Sequence, residues 1–295
     1  MNKCFVTKLP VVSDNKDLLK LGECVVSMEC TNDKVDLISL NKALYYCEQA
    51  HTLGDMSVAA GEKKTVESWK EIYGVKAGIY TFHFLDKYSI DGLLLRIPHS
   101  SNGLSFLTSC SQFMVNSTDE FSVEKIEKFE KIKMLWLFGN VSGDIASLKG
   151  LTALTSLSAT YGDKITLKAA DFSEMPNLRS INVGTGGTAY IGEFGDVATL
   201  GPEFIYLFLG GNYATIEWTA RPSSSKIISI FGSPKLANVD KMLQDQANCV
   251  VGITSTSPEY LRTISATGTR TSASDNAVAT LKSKGYIIII NGVTL

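Results

Sequence analysis

Three histidines, His51, His83 and His99, are the side chains of this sequence best suited to moving protons or holding a metal near neutral pH. None has a second histidine at H-x-x-x-H spacing or a carboxylate at ligand spacing, so neither a metal nor a cofactor is expected. His83 stands between Phe82 and Phe84, and its plainer reading is a strand residue. The six cysteines (Cys4, Cys24, Cys30, Cys47, Cys110 and Cys249) contain no C-x-x-C pair and read as free, buried thiols. The run from Gly184 to Gly192 is glycine-rich and follows a strand pattern. It lacks Gly-Lys-Ser/Thr and a following helix to receive a phosphate, so it reads as a turn. Glu124, Glu127 and Glu130 interleave with Lys125, Lys128 and Lys131, which makes a solvated face and not a catalytic carboxylate pair. With no Gly-x-Ser-x-Gly motif either, the expectation is a chain that is not an enzyme.

Binding is the remaining chemistry, and the bulk composition narrows it. The 295 residues carry a formal charge of −2, so no basic footprint for nucleic acid or an anionic membrane exists. No apolar run approaches the roughly eighteen residues that a membrane-spanning helix needs, so no membrane insertion is expected. The first ten residues carry Lys3 and Lys8 and no signal-like apolar run, which fits a product made in a reducing cytoplasm.

The elements that would position a binding surface emerge from an internal repeat. The segments starting at Leu135, Leu157, Ile181, Leu207 and Ile228 share an apolar–spacer–apolar pattern followed by two spacers and a small or amide residue. Their starts are 22, 24, 26 and 21 residues apart, and L-x-L-x-x-N is intact twice, ending at Asn140 and Asn212. Upstream, Leu151, Leu154 and Leu157 recur every third residue, as do Phe172, Met175, Leu178 and Ile181. Each short strand should point alternate side chains into a core shared only with its neighbours. Leu135, Leu157, Ile181, Leu207 and Ile228 are expected to form one buried column. The spacers face the other way, and among them are the bulky Trp136, Phe138, Phe208 and Phe231, with Tyr206 on the same face. Aromatics in solvent-facing strand positions mark a contact surface, so these five are the candidate ligand-binding residues. Fold-back of the first half over them is the alternative.

Residues 128 to 295 resemble the leucine-rich repeat family on these motifs. The resemblance implies a short, uneven solenoid that presents a sheet to protein or other ligands. Its last part is expected to hold a helix from Asn238 to Gln246, a strand ending in Ile264 and Ala266, a helix from Ser274 to Gly285 and a strand from Tyr286 to Ile290. The 36 residues from Ile228 to Ile264 exceed one repeat, and the segment around Cys249 to Ile253 should be irregular.

The first half lacks that period. Leu21 to Cys30 and Lys34 to Leu40 read as strands that could pair, and Ile79 to Leu85 and Gly92 to Ile97 as further strands. Val66, Trp69 and Tyr73 at helical spacing predict a short helix over 63–73. Ile126, Phe129 and Ile132 predict another over 122–133, capping the solenoid, and Asn102-Gly103 signals a turn. The fold class expected is therefore α+β: a segment 1–22, a β-rich domain 23–125 and a repeat domain 126–295.

The opening Lys3-Cys-Phe-Val-Thr-Lys-Leu-Pro10, followed by Asp14 to Glu23, resembles the leader of structural proteins from phages of gut Bacteroides. That resemblance implies a virion protein of head-fibre or tail-appendage type, assembled in the host cytoplasm as a homo-oligomer. Residues 1–22 would dock onto other virion proteins through Phe5, Val6, Leu9, Leu18, Leu19 and Leu21, and the repeats would meet a host surface protein or glycan. A bacterial cytosolic or surface-associated interaction module is the other reading.

Overall fold

A computed structural model describes residues 23–30, 36–85, 91–95, 98–100, 110–126, 129–160, 165–184, 193–210, 214–254 and 257–295. The expectations at Phe5, Val6, Leu9, Leu18, Leu19, Leu21, Asn212 and the Asn102-Gly103 turn lie outside them. Two compact units divide the chain, Met1–Val141 and Ser142–Leu295.

The first unit is built on strands that pair over long sequence distances. They are β1 (Glu23–Cys30), β2 (Asp36–Leu40), β3 (Ala43–Cys47), β4 (His51–Leu53), β5 (Met56–Val58) and β6 (Lys64–Val66). There follow β7 (Lys70–Gly74), β8 (Gly78–Leu85), β9 (Gly92–Leu95), β10 (Pro98–Ser100), β11 (Gln112–Ser122) and β12 (Met134–Asp144), whose last residues enter the second unit. One sheet has the order β10-β1-β8-β3-β6, and the other runs β11-β9-β2-β7-β4-β5. Leu21–Cys30 and Lys34–Leu40 therefore do not pair with each other: β1 lies between β8 and β10, while β2 lies between β7 and β9. The sheets pack on each other closely enough that a Cβ on Gly74 of β7 would stand 2.8 Å from Cys30 Sγ and 2.9 Å from the Tyr80 ring. Met28, Tyr45, Phe82 and Phe84 fill this core.

Neither helix expected in the first unit forms. Residues 63–73 are the two strands β6 and β7, which belong to different sheets, with Trp69 in the crossover. Val66 and Ile72 point into the core and Trp69 stands 43% exposed, so the residues spaced three apart do not share a face. Residues 122–133 hold the end of β11 and a 3₁₀ turn, Val123–Ile126. Ile126, Phe129 and Ile132 are buried as expected, but the amides of Phe129 and Ile132 bond the carbonyls three residues back. Side chains eclipse every third residue in such turns, so a period of three needs no α-helix.

The second unit repeats that device. Ile145, Leu148, Leu151, Leu154 and Leu157 are all buried, with Leu151 and Leu154 donating to the carbonyls three residues earlier at 2.8 and 2.9 Å. Phe172, Met175, Leu178 and Ile181 do the same. These turns lead into the first two of six strands: β13 (Ser156–Thr160), β15 (Ser180–Val183), β17 (Tyr206–Leu209), β19 (Ser229–Phe231), β21 (Thr263–Ala266) and β22 (Ile287–Ile290). These lie side by side in that order and run parallel. The short strands β14 (Ile165–Thr166), β16 (Glu193–Asp196), β18 (Thr215–Glu217) and β20 (Lys235–Leu236) lie between them in sequence, and the last three make a small parallel sheet. A final strand, β23 (Val293–Thr294), turns back antiparallel on β22 through Asn291 and Gly292, both at positive φ. The unit is a leucine-rich-repeat-like solenoid. The described residues are mostly strand and 3₁₀ turn, with two α-helices, α1 (Val239–Asn248) and α2 (Asp275–Ser283), so the molecule is mostly β with a parallel sheet.

The buried column differs from expectation at one strand. Leu157, Ile181 and Leu207 are in register, but Leu207 pairs with Ile230 and not with Ile228. Just ahead of β19, Ile228 is held by Gln246 of α1, which is fully buried. Its Oε1 accepts from the Ile228 amide at 2.7 Å and its Nε2 donates to the Ile228 carbonyl at 3.1 Å. With both backbone groups of Ile228 taken by this side chain, the ladder starts at Ser229.

Candidate functional site

The outward face of the second unit's sheet is where the expected ligand-binding residues converge. Tyr206 and Phe208 alternate with the buried Leu207 and Leu209 and are half-buried, and Phe231 is 36% exposed. The two-residue shift in β19 sets Phe231 directly beside Phe208. Their rings stack with centroids 5.3 Å apart and planes at 25°. In register on the other side are Asn182, next to Phe208, and Ser158, next to Asn182. Among the described residues, the buried Asn182 Oδ1 has no hydrogen-bond donor. Gly184 and Gly210 close this face at the strand ends, where a Cβ on Gly210 would fall 1.8 Å from the Gly184 carbonyl oxygen.

Toward β21 the face is covered. Ser229, Thr263 and Ser265 point outward yet are buried, and their hydroxyls donate to the carbonyls of Leu261, Glu259 and Ile230. The long interval between Ile228 and Ile264 explains this: after α1 an irregular segment crosses beside Ile205 before the 3₁₀ turn Glu259–Arg262. Together with Ser180, Ile205 and Tyr206, it walls a groove of about 440 Å³ through Gly252, Ile253, Thr254, Ser257 and Leu261. Sequence reasoning found the aromatics and the irregular segment but not the groove, because nothing local ties Gly252 to Ile205.

Trp136 and Phe138 belong to β12 in the first unit. They are half-buried and alternate with the buried Leu135 and Leu137, so their outward direction is as expected.

The chemistry-bearing side chains considered first serve structure. His51 is buried, and its Nδ1–H donates to the Gln49 carbonyl at 3.0 Å, which fixes the tautomer. Its Nε2 therefore accepts from Tyr45 Oη at 2.8 Å. Burial holds the His51 pKa below the ordinary imidazole value. His83 pairs with Glu48 at 3.0 Å and stacks on Tyr46, a cross-strand set that spacing along the chain does not show. The thiols of Cys47 and Cys110 are pushed up to about 12 by burial, far from a reactive thiolate.

No protein-family model matches this chain, and no curated protein does. Among solved structures it is similar to internalin C2 of Listeria monocytogenes, at 13% identity over 68% of this chain and 81% of that one, with a TM-score of 0.43. A second internalin of the same organism is 16% identical over 68% of this chain and 67% of that one, with a TM-score of 0.36.

Proposed function

We propose that the chain is a non-enzymatic recognition protein whose repeat unit binds a polypeptide on the outward face of its sheet. The stacked Phe208–Phe231 pair carries this reading, since aromatic rings left half open on a strand face are the anchors that dominate protein interfaces. The groove beside Tyr206 is mainly apolar in its walls and suits a side chain of an extended segment. Selection of a random displayed-peptide library on the full chain tests it. Peptides enriched on the wild type should be lost on Phe208→Ala and Phe231→Ala, with the melting temperature of each variant little changed. Enrichment that survives both substitutions, or a failure to enrich at all, overturns the assignment.

The finer form of the proposal places this protein in a phage particle as a homo-oligomeric fibre or appendage, docked through residues 1–22. It rests on the resemblance of that leader to virion proteins. Mass spectrometry of purified particles decides it. Absence from them leaves the bacterial interaction module as the reading.

A further inference from the structure

From the geometry around Trp69 we infer a second binding site, in the first unit, for a neutral hydroxylated ring such as a saccharide. Trp69 stands in the crossover between β6 and β7 and is 43% exposed. Its ring is seated on backbone: a Cβ on Gly92 would lie 2.7 Å from Trp69 Cζ2 and 2.8 Å from Cη2. The glycine is what lets the indole lie against β9.

The seat is tied down from several directions. The Asn41 amide donates to the Gly92 carbonyl at 3.0 Å, and Asn41 Nδ2 donates to Asp91 Oδ2 at 3.2 Å. Ser111 Oγ bonds the Asp91 carbonyl at 2.9 Å, and the amides of Ser111 and Gln112 bond the same carbonyl. A large apolar side chain is thus displayed in water from a fixed base, with little ordering left for a ligand to impose.

Beside it opens a shallow depression of about 410 Å³, lined by Ser39, Asp55, Trp69, Lys70, Glu71 and Tyr73 together with Gly54. Glu71 and Tyr73 are already mutually bonded, which fixes their positions. The lining selects a ligand class by charge. Lys70 opposes an ammonium group, and Asp55 and Glu71 oppose a phosphate or carboxylate. A neutral polyol meets no such opposition, because its hydroxyls donate to the carboxylates and accept from the lysine. The face of a sugar ring carries C–H groups with partial positive charge, complementary to the negative face of the indole. One open aromatic face suits a flat ring better than a compact cation, which is held best by several rings.

This site is independent of the sheet-face reading above and is tested apart from it. Isothermal titration of the full chain with maltose, cellobiose, lactose and diacetylchitobiose, with choline chloride as a cation probe, gives the decisive comparison. At least one disaccharide should bind saturably, and Trp69→Ala should weaken it about tenfold or more. Asp55→Asn, at an exposed position that leaves folding alone, should weaken it about threefold. Sugar binding unchanged in both variants overturns the site. So does binding of choline alone, or of none of the five probes.

Discussion

The two units bury their apolar surface in different ways. In Ser142–Leu295 turns that aim one side chain inward every third residue lead into β13 and β15, and each strand of the main sheet lies beside those of the adjacent repeats. In Met1–Val141 the pairs join distant parts of the chain, as β1 does with β8 and β2 with β9. A repeat stack has stability close to a sum of local and nearest-neighbour contributions, whereas a core of distant pairs stands or falls together. The two proposed sites follow the same division. The one proposed for the repeat unit is a broad face composed of several strands, and the one proposed for the first unit centres on Trp69 at a fixed corner.

The sharpest way to break the comparison is a core deletion in the stack. Leu207→Ala should cost about 2–5 kcal/mol in denaturant unfolding, because Leu207 is fully buried between Ile181 and Ile230. Amide exchange should quicken in β15, β17 and β19 and stay unchanged in β1 and β8. If exchange quickens equally in both units, they do not unfold separately. A smaller effect is expected from Gln246→Ala, which strands the Ile228 N–H and carbonyl and should cost about 2 kcal/mol. Its signature is loss of protection at Ile228 with β13 and β15 unaffected. Protection that persists would mean the Gln246 amide does not set where β19 begins.

The mildest probe is acid. All three histidines lie in the first unit, and burial depresses the His51 pKa from its usual value of 6.5. Below pH 6.5 the unfolded chain takes up a proton that folded His51 resists, so stability falls as the pH drops from 6.5 toward the folded pKa and is flat above it. Exchange measured at matched intrinsic rates between pH 7 and 5 should show β3 and β4 losing protection while β15 and β17 keep theirs. Equal protection at both pH values in β3 and β4 would remove His51 as the sensitive group.

What could be read in the chain follows from the same contrast. The spacing of Leu151, Leu154 and Leu157 is written within one repeat, so the solenoid and its outward aromatics were legible from residues close in sequence. The displacement at β19 was not, because the pairing of Leu207 with Ile230 is set between neighbouring repeats and not within the segment itself. In the first unit Val66, Trp69 and Tyr73 have helical spacing, yet the partners that make Val66 and Tyr73 strand residues lie in β2, β3 and β4. Trp69 was misread as a helix-face residue because its seat is Gly92, which the local pattern does not reach.

The reversed strand β23 has a consequence for the behaviour of the protein in concentrated solution. A stack of parallel strands is an open-ended template: its last member presents a row of amides and carbonyls in the direction that another copy's strand could extend. At β22 that row meets Val293 and Thr294 running the opposite way, folded over by Asn291 and Gly292. An incoming strand in the parallel sense finds the ladder already occupied and the two-residue rim too short to continue it. The reversed pair Val293–Thr294 thus covers the edge of β22, and Val293→Pro, which removes an amide there, should leave that edge more open to a second copy, read as a rise in light scattering with concentration.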